Sequence, residues 1–140
     1  MSDLDDVVEA LAARIRTGMA SDPIAGRIFA YAPDSIDPPA LVVLPSPGEF
    51  VSYDSSFQTD DFELVVMVLL GTQHDRAGQQ RLAAYFARSG ATSLRTAIYG
   101  DKTLGATVSD LRVVAGRSYG DVEWAGQLFF GAELIVEVYA

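Results

Sequence analysis

Phe62-Glu63-Leu64-Val65-Val66-Met67-Val68-Leu69-Leu70 is the stretch on which the fold turns. Only Glu63 interrupts a run of Leu, Val, Met and Phe. The run is apolar and too short for a membrane span. It therefore reads as a strand in the middle of a sheet, with both of its faces covered.

Working outward from it, Gly71 ends the run, and Asp75 is placed to cap a helix reaching about residue 88. Leu82, Tyr85 and Phe86 share one face of that helix, and Gly90 stops it. A second short helix is expected over about 92–99, with Leu94, Ala97 and Ile98 inward and Gly100 as terminator. Upstream, 40–44 is an apolar strand closed by Pro45-Ser46-Pro47-Gly48. Before it, Pro33, Pro38 and Pro39 enforce a loop, since each lacks an amide donor and restricts its neighbour. Ile28, Ala30 and Ala32 alternate with Phe29 and Tyr31 as a short strand would.

Residues 3–17 carry the clearest helical pattern. Leu4, Val7, Val8, Leu11 and Ile15 fall on one stripe, Ser2 can cap the first turn, and Asp3, Asp5 and Asp6 suit the positive end of the helix dipole. The last forty or so residues return to sheet. Here 108–114 is one strand, while 124–130 and 132–139 flank Gly131. A single glycine is too short for a usual hairpin loop, so a bulge within one long strand is expected there. Helix, strands, helices, strands make an α+β domain spanning 1–140, with the helices on one face of the sheet.

At 140 residues the chain is the size of one domain, and its apolar (49%) and charged (21%) fractions are those of a folded protein. Nineteen acids oppose ten bases, for a net charge of −9, which disfavours a protein that grips nucleic-acid phosphates. There is no cysteine and so no disulfide, the first residues are acidic where a signal peptide is basic, and no run approaches the ~18 apolar residues of a membrane span. Synthesis and residence in a cytoplasm are expected.

The stock of reactive groups is thin. His74-Asp75 could serve as an acid–base pair, or bind a metal with Asp60 or Asp61. The simpler role is a loop end followed by a helix cap, because one histidine leaves no second nitrogen ligand for a typical zinc site. Thr92 and Ser93 lack a partner base and read as caps, and Asp101-Lys102-Thr103-Leu104-Gly105 is no phosphate loop. The acids Asp54, Asp60, Asp61 and Glu63 read as charges that keep a strand edge from aggregating.

The segment 49–61 is different. It is a hairpin arm or an irregular loop, and Phe50, Val51, Tyr53 and Phe57 place large apolar groups along it with little chain nearby to bury them. A partner surface and core packing are both open to them. Trp124, Phe129 and Phe130 read as core, with pairing between subunits along an edge strand as the functional alternative.

Taken in order, these pieces resemble the tail terminator (tail-completion, head–tail joining) proteins of long non-contractile-tailed bacteriophages. The resemblance is carried by the acidic amphipathic first helix, Ile36-Asp37-Pro38-Pro39-Ala40-Leu41-Val42-Val43, and Phe62-Glu63-Leu64-Val65-Val66-Met67-Val68-Leu69. It continues through the Asp75-Arg76 helix start, Gly90-Ala91-Thr92-Ser93-Leu94-Arg95-Thr96-Ala97-Ile98, Leu104-Gly105 and the closing strand with Gly126, Gly131 and Val138. It covers nearly the whole chain as a loose pattern.

The resemblance implies an α+β fold with a mostly antiparallel sheet and a homo-oligomer, a hexameric ring at the head–tail junction of the virion. That ring caps the tail tube protein, docks the head–tail connector protein and lets DNA pass without specific binding. Catalysis, cofactor, metal and membrane have no part in it. In such a ring 49–61 would reach a neighbour or the tube. Asp34, Asp37, Asp110 and Glu123 are the acids that could line the hole and repel DNA in transit. Competing functions are a tail tube or neck adaptor protein, a small ligand-binding or enzymatic α+β domain using His74, Asp75 and Tyr85, and an interaction module unconnected with phage.

Overall fold

The computed structural model describes residues 3–53, 60–71 and 75–140. Ser2, Asp54, Phe57 and His74, each assigned a role above, lie outside the described residues. Helix α1 (Leu4–Gly18) is followed by a short 3-10 turn (Pro23–Arg27), β1 (Ile28–Phe29), β2 (Ala40–Pro45), β3 (Val51–Ser52) and β4 (Asp61–Gly71). Then come α2 (Arg76–Tyr85), α3 (Leu94–Tyr99), β5 (Asp110–Trp124) and β6 (Gln127–Tyr139). Among the described residues six strands form one sheet in the order β1-β2-β4-β6-β5, with β3 adding to β4. The β1–β2 pair is parallel and all the others are antiparallel. This is an α+β fold, as the element order predicts.

The run beginning at Phe62 is the central strand, paired with β2 on one side and β6 on the other. Leu64, Val66 and Val68 point into the main core beside Leu41 and Val43 of β2 and Leu134, Val136 and Val138 of β6. Val7, Val8, Leu11 and Ile15 of α1, Leu82 and Tyr85 of α2, and Leu94 and Ile98 of α3 fill the same core, so the three helices pack with one face of the sheet. On the other face a smaller cluster of Leu69, Val122 and Phe129 is flanked by Ile36, Met67 and Trp124. The loop before β2 closes it, where the Trp124 indole N–H donates to the Pro33 carbonyl at 3.0 Å.

Local chemistry sets the helix ends. Asp3, not Ser2, is the described cap of α1, its carboxylate accepting from the Asp6 amide at 2.9 Å. Asp75 accepts from the Gly78 amide at 2.7 Å, and Ser93 accepts from the Thr96 amide at 3.2 Å. Helix α2 stops at Tyr85, one turn short of the expected end. Gly18 lets α1 meet α3, since a Cβ there would stand 2.6 Å from that of Ala97.

The C-terminal sheet differs from the expected division. The sequence predicts one strand from 124 to 139, but Trp124 ends β5, and Ala125-Gly126, both at positive φ (52° and 78°), make the hairpin turn. Alanine there gives little signal, since such turns usually use Asn-Gly or Asp-Gly. Gly131 sits inside an unbroken β6, and the irregularities fall in its neighbours, between Leu69 and Gly71 of β4 and, in β5, between Val113 and Ala115 and between Arg117 and Gly120. Strand β5 also continues ten residues past the expected end at 114, through Gly116 and Gly120. The alternating strand expected from Ile28 shortens to Ile28–Phe29.

The glycine at 131 answers to a backbone contact, because a Cβ would overlap the Val68 carbonyl of β4. Replacing Gly131 by Ala is expected to cost about 3 kcal/mol or more of stability through forced separation of the two central strands. Urea unfolding midpoints of the two proteins measure it.

Candidate functional site

The described part of 49–61 is the base of a hairpin arm. Val51 and Ser52 pair with Phe62 and Asp61, and the Glu63 amide donates to the Phe50 carbonyl at 2.9 Å. Val51 turns inward and packs against the main core. Phe50 and Tyr53 do not: they are 39% and 74% exposed, so the arm carries aromatic surface that nothing in the described chain covers. Of the four residues expected to act together, two are outward, one is inward and Phe57 is outside the described set.

Beside the arm lies an open groove of about 430 Å³ lined by Glu49, Phe50, Asp61, Glu63, Glu137 and Tyr139. Register puts Glu63 directly opposite Glu137, an unfavourable like-charge pair, and Glu137 opposite Arg112 on its other side. Arg112 meets Glu137 at 3.4 Å, and the Tyr139 hydroxyl donates to the same carboxylate at 2.9 Å. That hydrogen bond, helped by burial, raises the Tyr139 pKa above its ordinary value. Sequence reasoning placed Asp61 and Glu63 near a strand edge, but both lie on β4 where it is bonded on its two sides, to β6 and to the 46–52 segment. The same reasoning missed Glu137. Only the β4–β6 register brings it alongside.

The acids proposed for a lumen do not gather. Glu123 precedes Trp124, whose indole bonds Pro33, so Asp34 and Glu123 belong to one end of the sheet, and both are exposed. Asp37 pairs with Arg27 at 3.2 Å. Asp110 is at the far end of the 15-residue strand β5, about 45 Å from Glu123 if the strand were straight. There the Leu111 amide and Lys102, at 3.3 Å, hold its carboxyl below the usual carboxylate range.

Among the described residues strand β5 pairs with β6 alone and is an edge of the sheet, and it exposes Val114 (42%) and Tyr119 (64%). Between this edge and α2 are two clefts. One, of about 320 Å³, is bounded by Phe86, Arg88, Arg95 and Val113. The other, of about 230 Å³, is bounded by Leu82, Phe86, Gly116 and Tyr119. They share Phe86 and Gly116, so the Phe86 ring, packed on Gly116, stands between them and divides a trough along this edge.

Tyr85, considered above for a ligand pocket, is only 1% exposed and points elsewhere. Its hydroxyl donates to Asp22 at 2.8 Å and accepts from the Arg81 Nε at 2.8 Å, which clasps α2 to the 3-10 turn. Asp75 and Ser93 are occupied as caps. Among the described residues no group of three or more His, Cys, Asp or Glu side chains is arranged to hold a metal ion.

No protein-family model matches this chain, and no curated protein sequence matches it either.

Two outcomes follow from the charges. Burial, and then the bond to Asp22, push the Tyr85 phenol up from 10.0 to about 12. The folded state therefore holds that proton more tightly than the unfolded chain. Its contribution is whole below pH 10 and is lost as pH rises through 12, a difference of no more than roughly 3 kcal/mol once solvent screening is allowed for. Tyr85→Phe should be less stable at pH 8 and show a shallower loss across that window in urea titrations. Separately, Glu63→Gln should stabilise the fold by ~0.5 kcal/mol by removing the opposed charge. Thermal melts should show that gain shrinking in high salt.

Proposed function

We propose that this chain is a structural subunit of a long-tailed bacteriophage, a tail terminator or head–tail joining protein. Its copies form a ring, hexameric as in the family it resembles, that ends tail-tube polymerisation and docks the head connector. The observation that carries this reading is the pair of uncovered contact surfaces on a small α+β domain. Tyr53 and Phe50 project on the arm base, and β5 offers a long open edge. Exposed aromatics on one side of a sheet and an unpaired strand on the other are what a subunit presents to copies and neighbours.

In this role the chain works by fit. It needs no catalytic step, no bound cofactor and no lipid. Its partners are further copies of itself, the tube protein and the connector, and its place is the head–tail junction of the virion, reached from the host cytoplasm. DNA passes through the ring. Exposed Asp34 and Glu123 lie toward one end of the sheet, where they could repel phosphates in transit. Screening limits such repulsion to roughly 8–10 Å at physiological salt, so only acids at the wall of the hole contribute.

The test is electron microscopy of particles made with and without the gene. Without it, tails of uncontrolled length or tails detached from heads are expected. Normal joined virions would overturn the role. Purified protein that polymerises into long tubes would identify a tube subunit instead.

A further inference from the structure

We propose that the trough between α2 and β5 is the receptor for Tyr53 of a second copy of this chain, joining copies head to tail. The second copy is the partner that the ring-building reading requires, and the proposal rests on that reading. The trough and the arm are matched in size, polarity and charge.

In size, the two clefts hold about 320 and 230 Å³, at or below the small end of pockets for small molecules and suited to side chains. In polarity, the Phe86 ring packs on Gly116 between the two clefts and forms an aromatic wall of each, a Cβ at 116 coming within 2.9 Å of that ring. A side chain at 116 would displace the ring, so glycine is what seats it there. Tyr119, 64% exposed at its rim, stacks edge-on against Phe130 at 5.5 Å and offers a second aromatic wall. The entering group is Tyr53, the most exposed large apolar side chain in the described chain, at 74%.

In charge, the trough mouth carries Arg88 and Arg95. The arm carries Asp61, paired with Ser52 next to Tyr53, and Asp60 just before it. A chain of net charge −9 repels its own copies, so a contact between copies must gather the opposite charge locally. Arginines at one patch facing acids at the other do this. The open backbone of β5 beside the trough can also pair with the arm strand.

The donor and receptor are different surfaces of one chain, with the arm at the β3–β4 hairpin and the trough against the β5 edge. Such a contact is not self-complementary. It propagates from copy to copy and closes a ring when the rotation permits, where a two-fold contact would stop at a dimer.

Sedimentation of the full chain at low salt over a wide concentration range tests this. Wild type should associate beyond a dimer. Tyr53→Ser and Arg88→Glu should each weaken association at least tenfold, with unchanged circular dichroism and melting temperature. Mixing the two variants supplies one intact arm and one intact trough, and should give a 1:1 heterodimer that grows no further. Asp60→Arg placed in the Arg88→Glu chain should restore association. A wild type monomeric at every concentration, variants that associate like wild type, or a mixture without heterodimer would each overturn the contact. These outcomes are separable from the capping role. Variants that associate normally while gene deletion still gives overlong tails would remove this contact and leave that role standing. Normal tails without the gene would remove the role, whatever sedimentation shows.

Discussion

At Gly131 strand β6 lies so close to the Val68 carbonyl of β4 that no side chain can stand between them. The geometry of the C-terminal half follows from that approach. Beside this glycine β4 and β5 each break register, one at Leu70 and the other at Ser118 and Tyr119, while β6 runs on without interruption. Bulges increase local twist and redirect the strand that carries them. The result is a long β5 whose middle stands out as an edge, with Gly116 left over Phe86 and Tyr119 turned against Phe130. The trough is thus a product of strand pairing.

Charge is arranged in rows across the sheet. Arg112 faces Glu137 and Arg117 faces Glu133, so the open edge strand is tied to its neighbour by ion pairs at 3.4 and 3.5 Å. Exposed pairs of this kind add little stability. Their placement does more, since charged side chains along an edge discourage indiscriminate strand addition. The groove at the other end gathers Glu49, Asp61, Glu63 and Glu137, so the molecule has an acidic arm end and an arginine-bearing edge despite its overall negative charge.

The helices and the central strand were legible because their signals are local. The stripe from Leu4 to Ile15 and the apolar run from Phe62 each state their own structure, and Asp75 and Ser93 are caps in sequence and in space. The β5–β6 hairpin was not legible. Its turn uses Ala125 at positive φ, and Gly116 and Gly120 lie inside a strand expected to end at 114, one over a ring and one at a bulge. Outward aromatics at 50 and 53 could be suspected from the sparse chain around them. That Val51 packs inward, that Glu137 joins Glu63, and that Phe86 divides a trough beside the arginines all depend on long-range register. No local pattern encodes them.

The Asp22–Tyr85–Arg81 clasp bears on that trough. Tyr85 occupies the last turn of α2 and Phe86 the next position, so the phenol that anchors the helix to the N-terminal half adjoins the ring that walls the cleft. Asp22 is 63 positions away in sequence, yet its carboxylate accepts from the phenol next to that ring. Loosening the 3-10 turn would release the last turn of α2, which gives the amino-terminal segment mechanical leverage over a surface it does not touch.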